Sequence, residues 1–178
     1  MLYAFGFESI GVVMSDLYFL DPNQRAGQEG PERGVRLEVR ALERGDLNGS
    51  VYSAQPITVG KPIWRADLLE RVDGPPGSFD RTHHHPVFTG WEPSKRTFVE
   101  ALSANPVDWV GAHLCNLDAL LDEAGVDKNE IDPRDGESLR RAVPEITDTL
   151  RRLLERVHAG ELGQKPEGDI VSARAGWL

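Results

Sequence analysis

The sequence predicts an α+β domain: a mainly antiparallel sheet of about five to six strands, followed by a helical C-terminal half that packs on it. Two patterns carry this expectation. Apolar residues recur with a period of two as far as Glu70 and with a period of 3.6 from Asn105 onward. Strands gathered ahead of helices, instead of alternating with them, favour an antiparallel sheet. The 178 residues, 39% of them hydrophobic, suit one domain. It divides into a β-rich part over 1–91, a helical part over 92–160 and a tail over 161–178.

Met1 to Asp21 is rich in apolar and β-branched residues and reads as two strands meeting near Glu8 to Gly11. The run from Asp21 to Gly34, with three Gly and two Pro and no periodicity, reads as a long loop. Val35, Leu37, Val39 and Ala41 alternate with Arg36, Glu38 and Arg40, which predicts a strand with one face on the core and one in water. Asn48-Gly49 reads as a hairpin turn. Strands over 51–59 and 63–70 follow, with Gly60 and Pro62 at their junction. Val107, Val110, Leu114, Leu117 and Leu121 form one amphipathic stripe that stops at Gly125. Leu139, Val143, Ile146, Leu150, Leu153 and Val157 form a second that ends at Gly160, with Pro144 predicting a kink or a restart. Both stripes suit core packing or, alternatively, a homodimer seam. Trp177 and Leu178 in the tail either dock or fray.

Composition excludes several classes. The longest nearly uncharged apolar stretch, Leu2 to Met14, contains Glu8 and is too short to span a bilayer, which needs about 20 residues. No Lys or Arg precedes Arg25, so the positive region of a secretory leader is missing and a cytoplasmic protein is expected. Cys115 is the one cysteine and forms no internal disulfide; its place on a helix suggests a small buried thiol. Net charge −9 disfavours broad binding to nucleic acid or anionic membrane. Gly6 to Gly11 lacks the Gly-Lys-Ser/Thr continuation of a phosphate loop, and Ser53, Ser78 and Ser103 lack the glycines of a nucleophile elbow. The acidic residues between Asp118 and Asp135 do not follow a calcium-loop spacing and read as a solvated loop.

The chemistry-bearing segment is Ile63 to Trp91. On a strand, Trp64, Ala66 and Leu68 share one face, and Arg65 and Asp67 share the other, about 7 Å apart. Beyond the turn, His83 and His85 share one face and His84 points opposite, so a hairpin brings Arg65, Asp67, His83 and His85 together. Three outcomes use this set. His83 and His85 can ligate a divalent metal with a carboxylate from Asp67, Glu70 or Asp80, as the His-x-His pair of a cupin does with further ligands and more strands. His113 joins only if the fold carries its helix to the same face. Alternatively, the two imidazoles act as general base and acid, with Arg65 or Arg81 stabilising an oxyanion and Asp67 or Asp80 orienting a ring. In the third outcome the histidines are loop residues bonded to backbone carbonyls, with Trp91 packed over them and Arg65–Asp67 an exposed ion pair.

The order Arg65-x-Asp67, a glycine-containing turn, Asp80, then His83-x-His85 resembles the Arg-x-Asp-Asn, Gly-Asp-His-x-His pattern of TumE-type toxins of toxin–antitoxin systems. That resemblance covers about twenty-five residues and implies ribonuclease-like cleavage of a phosphodiester by Arg65, Asp67, Asp80, His83 and His85. Leu68 stands where the pattern has Asn, and Arg81 and Thr82 separate Asp80 from His83. A competing reading is a non-catalytic acidic interaction protein of antitoxin, immunity or inhibitor type. Its support is the charge of residues 91–178, where 11 basic side chains face 17 acidic ones.

Overall fold

The computed structural model describes residues 1–21, 23–47, 49 and 55–166. A five-stranded antiparallel meander is followed by helices packed on one of its faces, the predicted α+β arrangement. The strands are β1 (Leu2–Gly6), β2 (Ile10–Phe19), β3 (Glu32–Arg44), β4 (Ile57–Arg71) and β5 (His83–His85), ordered β1-β2-β3-β4-β5. A two-stranded ribbon, β6 (Phe88–Thr89) and β7 (Glu92–Pro93), turns at Gly90. Helices α1 (Glu100–Ala104), α2 (Pro106–Cys115), α3 (Leu117–Ala124) and α4 (Asp135–His158) follow.

Alternation decides the two faces of the sheet. Ile10, Val12 and Met14 of β2, Val35, Leu37 and Val39 of β3, and Trp64, Ala66 and Leu68 of β4 join one core with the helix stripes. Leu139, Val143, Ile146, Leu150, Leu153 and Val157 are all buried within the chain, so this stripe packs into the protein's own core. Among the described residues, no helix is long and apolar enough to cross a membrane.

Several elements differ from expectation. β3 begins at Glu32, so the long loop ends three residues early; Glu32 pairs with both Phe19 and Arg71 in the ladder. Gly34 follows inside the strand, where a Cβ would lie 2.0 Å from the Leu68 carbonyl oxygen. Gly60 and Pro62 do not separate two strands. They sit in one fifteen-residue β4, where the register to β3 shifts on both sides of Arg40 and the Arg40 Nε donates to Gly60 O at 2.9 Å. The predicted turn at Asn48, the strand start at 51–54 and the end of the tail lie outside the described residues.

The first helical stripe is two helices, not one. Asn116 leaves helical geometry and its Oδ1 accepts the Ala119 N–H at 3.2 Å, capping α3, while the apolar spacing carries on across the break. Cys115, beside that break, is exposed, which corrects the buried-thiol expectation. α4 runs unbroken through Pro144. Asp135 departs from the solvated acidic loop: it is fully buried and accepts from Glu8 N at 2.8 Å, Ser9 N at 2.9 Å and Ser9 Oγ at 2.6 Å. One carboxylate therefore ties the start of α4 to the β1–β2 turn.

Truncating Asp135 to Ala strands two backbone donors at a buried junction, a loss of about 3 kcal/mol. For a chain of this size that lowers the melting temperature by roughly 6–12 °C. Thermal unfolding followed by circular dichroism checks it, and a change under one degree contradicts the assignment.

Candidate functional site

The sheet face opposite the core is polar and yet covered. Its rows run across the ladder: His83 opposes Asp67, which opposes Arg36, and His85 opposes Arg65, which opposes Glu38. On β3 the residues of this face, Arg36, Glu38 and Arg40, are half-buried, less open to water than alternation suggested. Segment 86–98 folds back across it, setting Phe88 over the Arg65 guanidinium at 5.7 Å, Trp91 over Arg40 at 5.1 Å and Phe98 at 5.5 Å from the His83 ring. Arg65, Asp67, His83 and His85 are all buried.

β5 is placed from both sides. Thr82 Oγ1 takes the Leu69 N–H and donates to the Leu69 carbonyl oxygen, each at 3.0 Å, and the Arg81 N–H donates to the same oxygen at 3.1 Å. These contacts close the turn after β4. On the other edge His84 and Thr97 exchange backbone hydrogen bonds at 3.0 and 2.9 Å. Three residues thus hold a fixed register, with His83 and His85 on the polar face and His84 on the core face, as alternation predicts.

Asp67 is the centre of the cluster. Its Oδ1 accepts from Arg36 Nε at 2.7 Å. Its Oδ2 lies 3.0 Å from Arg65 Nε, 3.4 Å from His83 Nε2 and 3.5 Å from His85 Nε2. Arg65 Nε is buried and makes no hydrogen bond despite that proximity. Both imidazoles have their other nitrogen engaged: His83 Nδ1 lies 2.7 Å from Arg81 O and His85 Nδ1 lies 2.5 Å from Ser94 O. Against a carbonyl oxygen Nδ1 acts as donor, so each ring carries its proton there and, when neutral, presents a bare Nε2 lone pair to Asp67. The His83 and His85 rings meet edge to face, 5.0 Å between centroids. One ligand atom from each of Asp67, His83 and His85 lies within 4.8 Å of the others.

Electrostatics follow from burial and from the arginines. Burial alone raises the Asp67 carboxyl, but Arg36, Arg65 and the two imidazoles hold it well below the usual carboxylate range. Burial lowers His85, outweighing its contact with Asp67, and also lowers Arg65 against the attraction of Asp67. Glu38 extends the network, 2.6 Å from Arg40 Nη1 and 3.9 Å from Arg65 Nη1.

Asp80 does not join the cluster. It accepts from Arg71 N at 3.1 Å, Arg71 Nε at 2.7 Å and Ser78 Oγ at 3.1 Å, because Arg81 and Thr82 consume the length that would carry it inward. His113 is on the opposite side of the sheet, stacked 3.6 Å from Trp109 and 5.8 Å from Trp64. His84 joins that aromatic group, and burial, with the proximity of His113, pushes it down to about 4. Glu70 also faces away, toward Arg33 and His158. Trp91 is 55% exposed and does not cover the histidines. Arg65–Asp67 is buried, not an exposed pair.

Two contributors escaped the sequence reading. Arg36 sits in a clean strand alternation, and only the pairing of β3 with β4 sets it opposite Asp67. The backbone carbonyls of Arg81 and Ser94 carry no side-chain signal at all. Comparison of the chain with protein-family models, with curated proteins and with solved structures finds no match. The class defined by fold and site is thus an α+β domain with a buried Asp/His-x-His cluster.

Arg36→Leu leaves Asp67 Oδ1 buried without its donor. Breaking a buried pair from one side costs about 3 kcal/mol, to be read from the urea midpoint at unchanged slope. An unshifted midpoint would show that Asp67 does not depend on Arg36.

Proposed function

We propose that the protein is a small metal-dependent hydrolytic enzyme in which Asp67, His83 and His85 hold one divalent cation. The observation that carries this reading is the convergence of both Nε2 atoms on one carboxylate oxygen while both Nδ1 atoms lie against backbone carbonyls. With each ring protonated at Nδ1, both Nε2 lone pairs are free to ligate a cation shared with Asp67. Separations of 3.4 and 3.5 Å are long for imidazolium–carboxylate hydrogen bonds, which run about 2.7–2.9 Å. They suit two ligands of a common tetrahedral ion: bonds of about 2.1 Å at a tetrahedral angle set the donor atoms about 3.4 Å apart. Two imidazoles and a carboxylate are a donor set that zinc takes in catalytic sites, so zinc is the favoured ion.

The surroundings fit such a centre. Backbone acceptors on the outer nitrogens of the histidines and Arg36 on the outer oxygen of Asp67 are the contacts that orient metal ligands. Three protein ligands leave one position for water, as catalytic zinc sites do, and bound zinc would supply a hydroxide near neutral pH. Arg65, already beside the cluster, is placed to stabilise negative charge on a substrate oxygen. A metal-free acid–base pair is less well supported, since both imidazoles present Nε2 to Asp67 and not to a space where a substrate proton would lie. The ribonuclease-like order of residues that resembles TumE-type toxins falls on this cluster with Asp80 outside it.

Elemental analysis of protein purified without an affinity tag is expected to find about one zinc per chain. His83→Ala, His85→Ala and Asp67→Asn should each lose it while remaining folded by circular dichroism. Hydrolysis of an activated phosphodiester should appear with zinc loading and fall to background in the same variants. A wild type that takes up no divalent metal from added zinc, iron or manganese would overturn the reading.

A further inference from the structure

Beside His85 the covered face opens into a cavity of about 280 Å³. Its walls come from two segments: Asp21, Arg25 and Gln28 of the loop after β2, and Ser94, Lys95 and Arg96 after β7. Three cations thus face one carboxylate in a chain whose net charge is −9. Arg96 is held there by Glu32 at 2.8 Å and by the Phe19 ring at 5.6 Å. The Arg25 and Lys95 side chains are exposed, and among the described residues neither side chain makes a hydrogen bond or ion pair. The loop is pinned over the sheet because the Arg81 guanidinium donates to the carbonyl oxygens of Gly27 and Glu29. Ser94, whose carbonyl oxygen receives the His85 Nδ1–H, is the chain neighbour of Lys95. The cationic wall and the orientation of a candidate metal ligand therefore belong to one short stretch of backbone.

We infer that this cavity binds the phosphate group of a phosphate-ester substrate, held by Arg25, Lys95 and Arg96 beside the Asp67–His83–His85 centre; the inference rests on the metal reading above. Charge complementarity argues for it. Arg25 and Lys95 face the one carboxylate of Asp21 on a concave wall whose third cation, Arg96, is paired with Glu32, and such a wall attracts anions locally even on an acidic protein, because field lines concentrate in clefts. Two planar guanidinium forks and an ammonium match the several oxygens of a phosphate better than the two of a carboxylate. The cavity exceeds the volume of one phosphate, which leaves room for an ester substituent.

The test titrates inorganic phosphate by calorimetry into zinc-loaded wild type and an Arg25→Gln/Lys95→Gln double variant, with zinc content measured on the same samples. Both replaced side chains are exposed, so the fold and the zinc content should persist. Wild type should bind one phosphate, and the double variant at least about tenfold more weakly, the loss of two charge-assisted contacts. Acetate should bind wild type at least about tenfold more weakly than phosphate. Equal phosphate affinity in the two proteins, or acetate as good as phosphate, overturns this inference and leaves the metal reading standing. Absence of zinc in wild type refutes the metal reading instead, a result visible without any phosphate titration.

Discussion

A carboxylate withdrawn from water has to be neutralised, and the way Asp67 is neutralised organises the outer face of the sheet. Arg36 reaches it from β3, Arg65 from its own strand, and His83 and His85 from β5. These contacts require β3, β4 and β5 to hold one register, since a shift of one residue would send every polar side chain into the core. They also require the segment after β5 to fold back, because Phe88 and Phe98 exclude water from the arginine and histidine side chains. β5 is only three residues long, and it is kept in place by Thr82 on one side and Thr97 on the other.

Such a network is a poor way to stabilise a fold. Removing several charges from water costs about as much as their attraction returns, and apolar residues of similar size often do as well or better. The core side of the same strands already supplies the stabilising burial, through Trp64, Ala66 and Leu68 against the helices. Such a cluster, which returns little stability while holding two imidazoles and a carboxylate in fixed orientation, is what the proposed cation site rests on. The opposite imidazole, His84, makes the contrast plain: surrounded by Trp64, Trp109 and His113, it serves as a neutral core side chain.

Period-two alternation was enough to place Arg65 and Asp67 on one face and His83 and His85 together, because a strand leaves each side chain only two directions. It was likewise enough for the helical stripes, though not for the break at Asn116, where a side-chain cap ends one helix and begins the next without disturbing the apolar spacing. What local pattern could not carry was pairing. Arg36 reaches Asp67 only through the β3–β4 register, Asp80 leaves the site because Thr82 and Arg81 close the turn ahead of it, and Asp135 meets Ser9 across 126 residues of chain. Each of these depends on where a second segment lies, which no single stretch of sequence states.

In the proposed centre, backbone carbonyls hold His83 and His85 as Nδ1–H rings whose Nε2 atoms face Asp67 across a shared cation. Long-range proton–nitrogen NMR of the imidazole side chains tests it directly, on chelated protein and during zinc addition. With zinc, both rings should keep the Nδ1 proton while both Nε2 resonances move together to metal-bound positions, saturating at one zinc per chain. Rings that stay imidazolium, each donating Nε2–H to Asp67 with and without zinc, would contradict it.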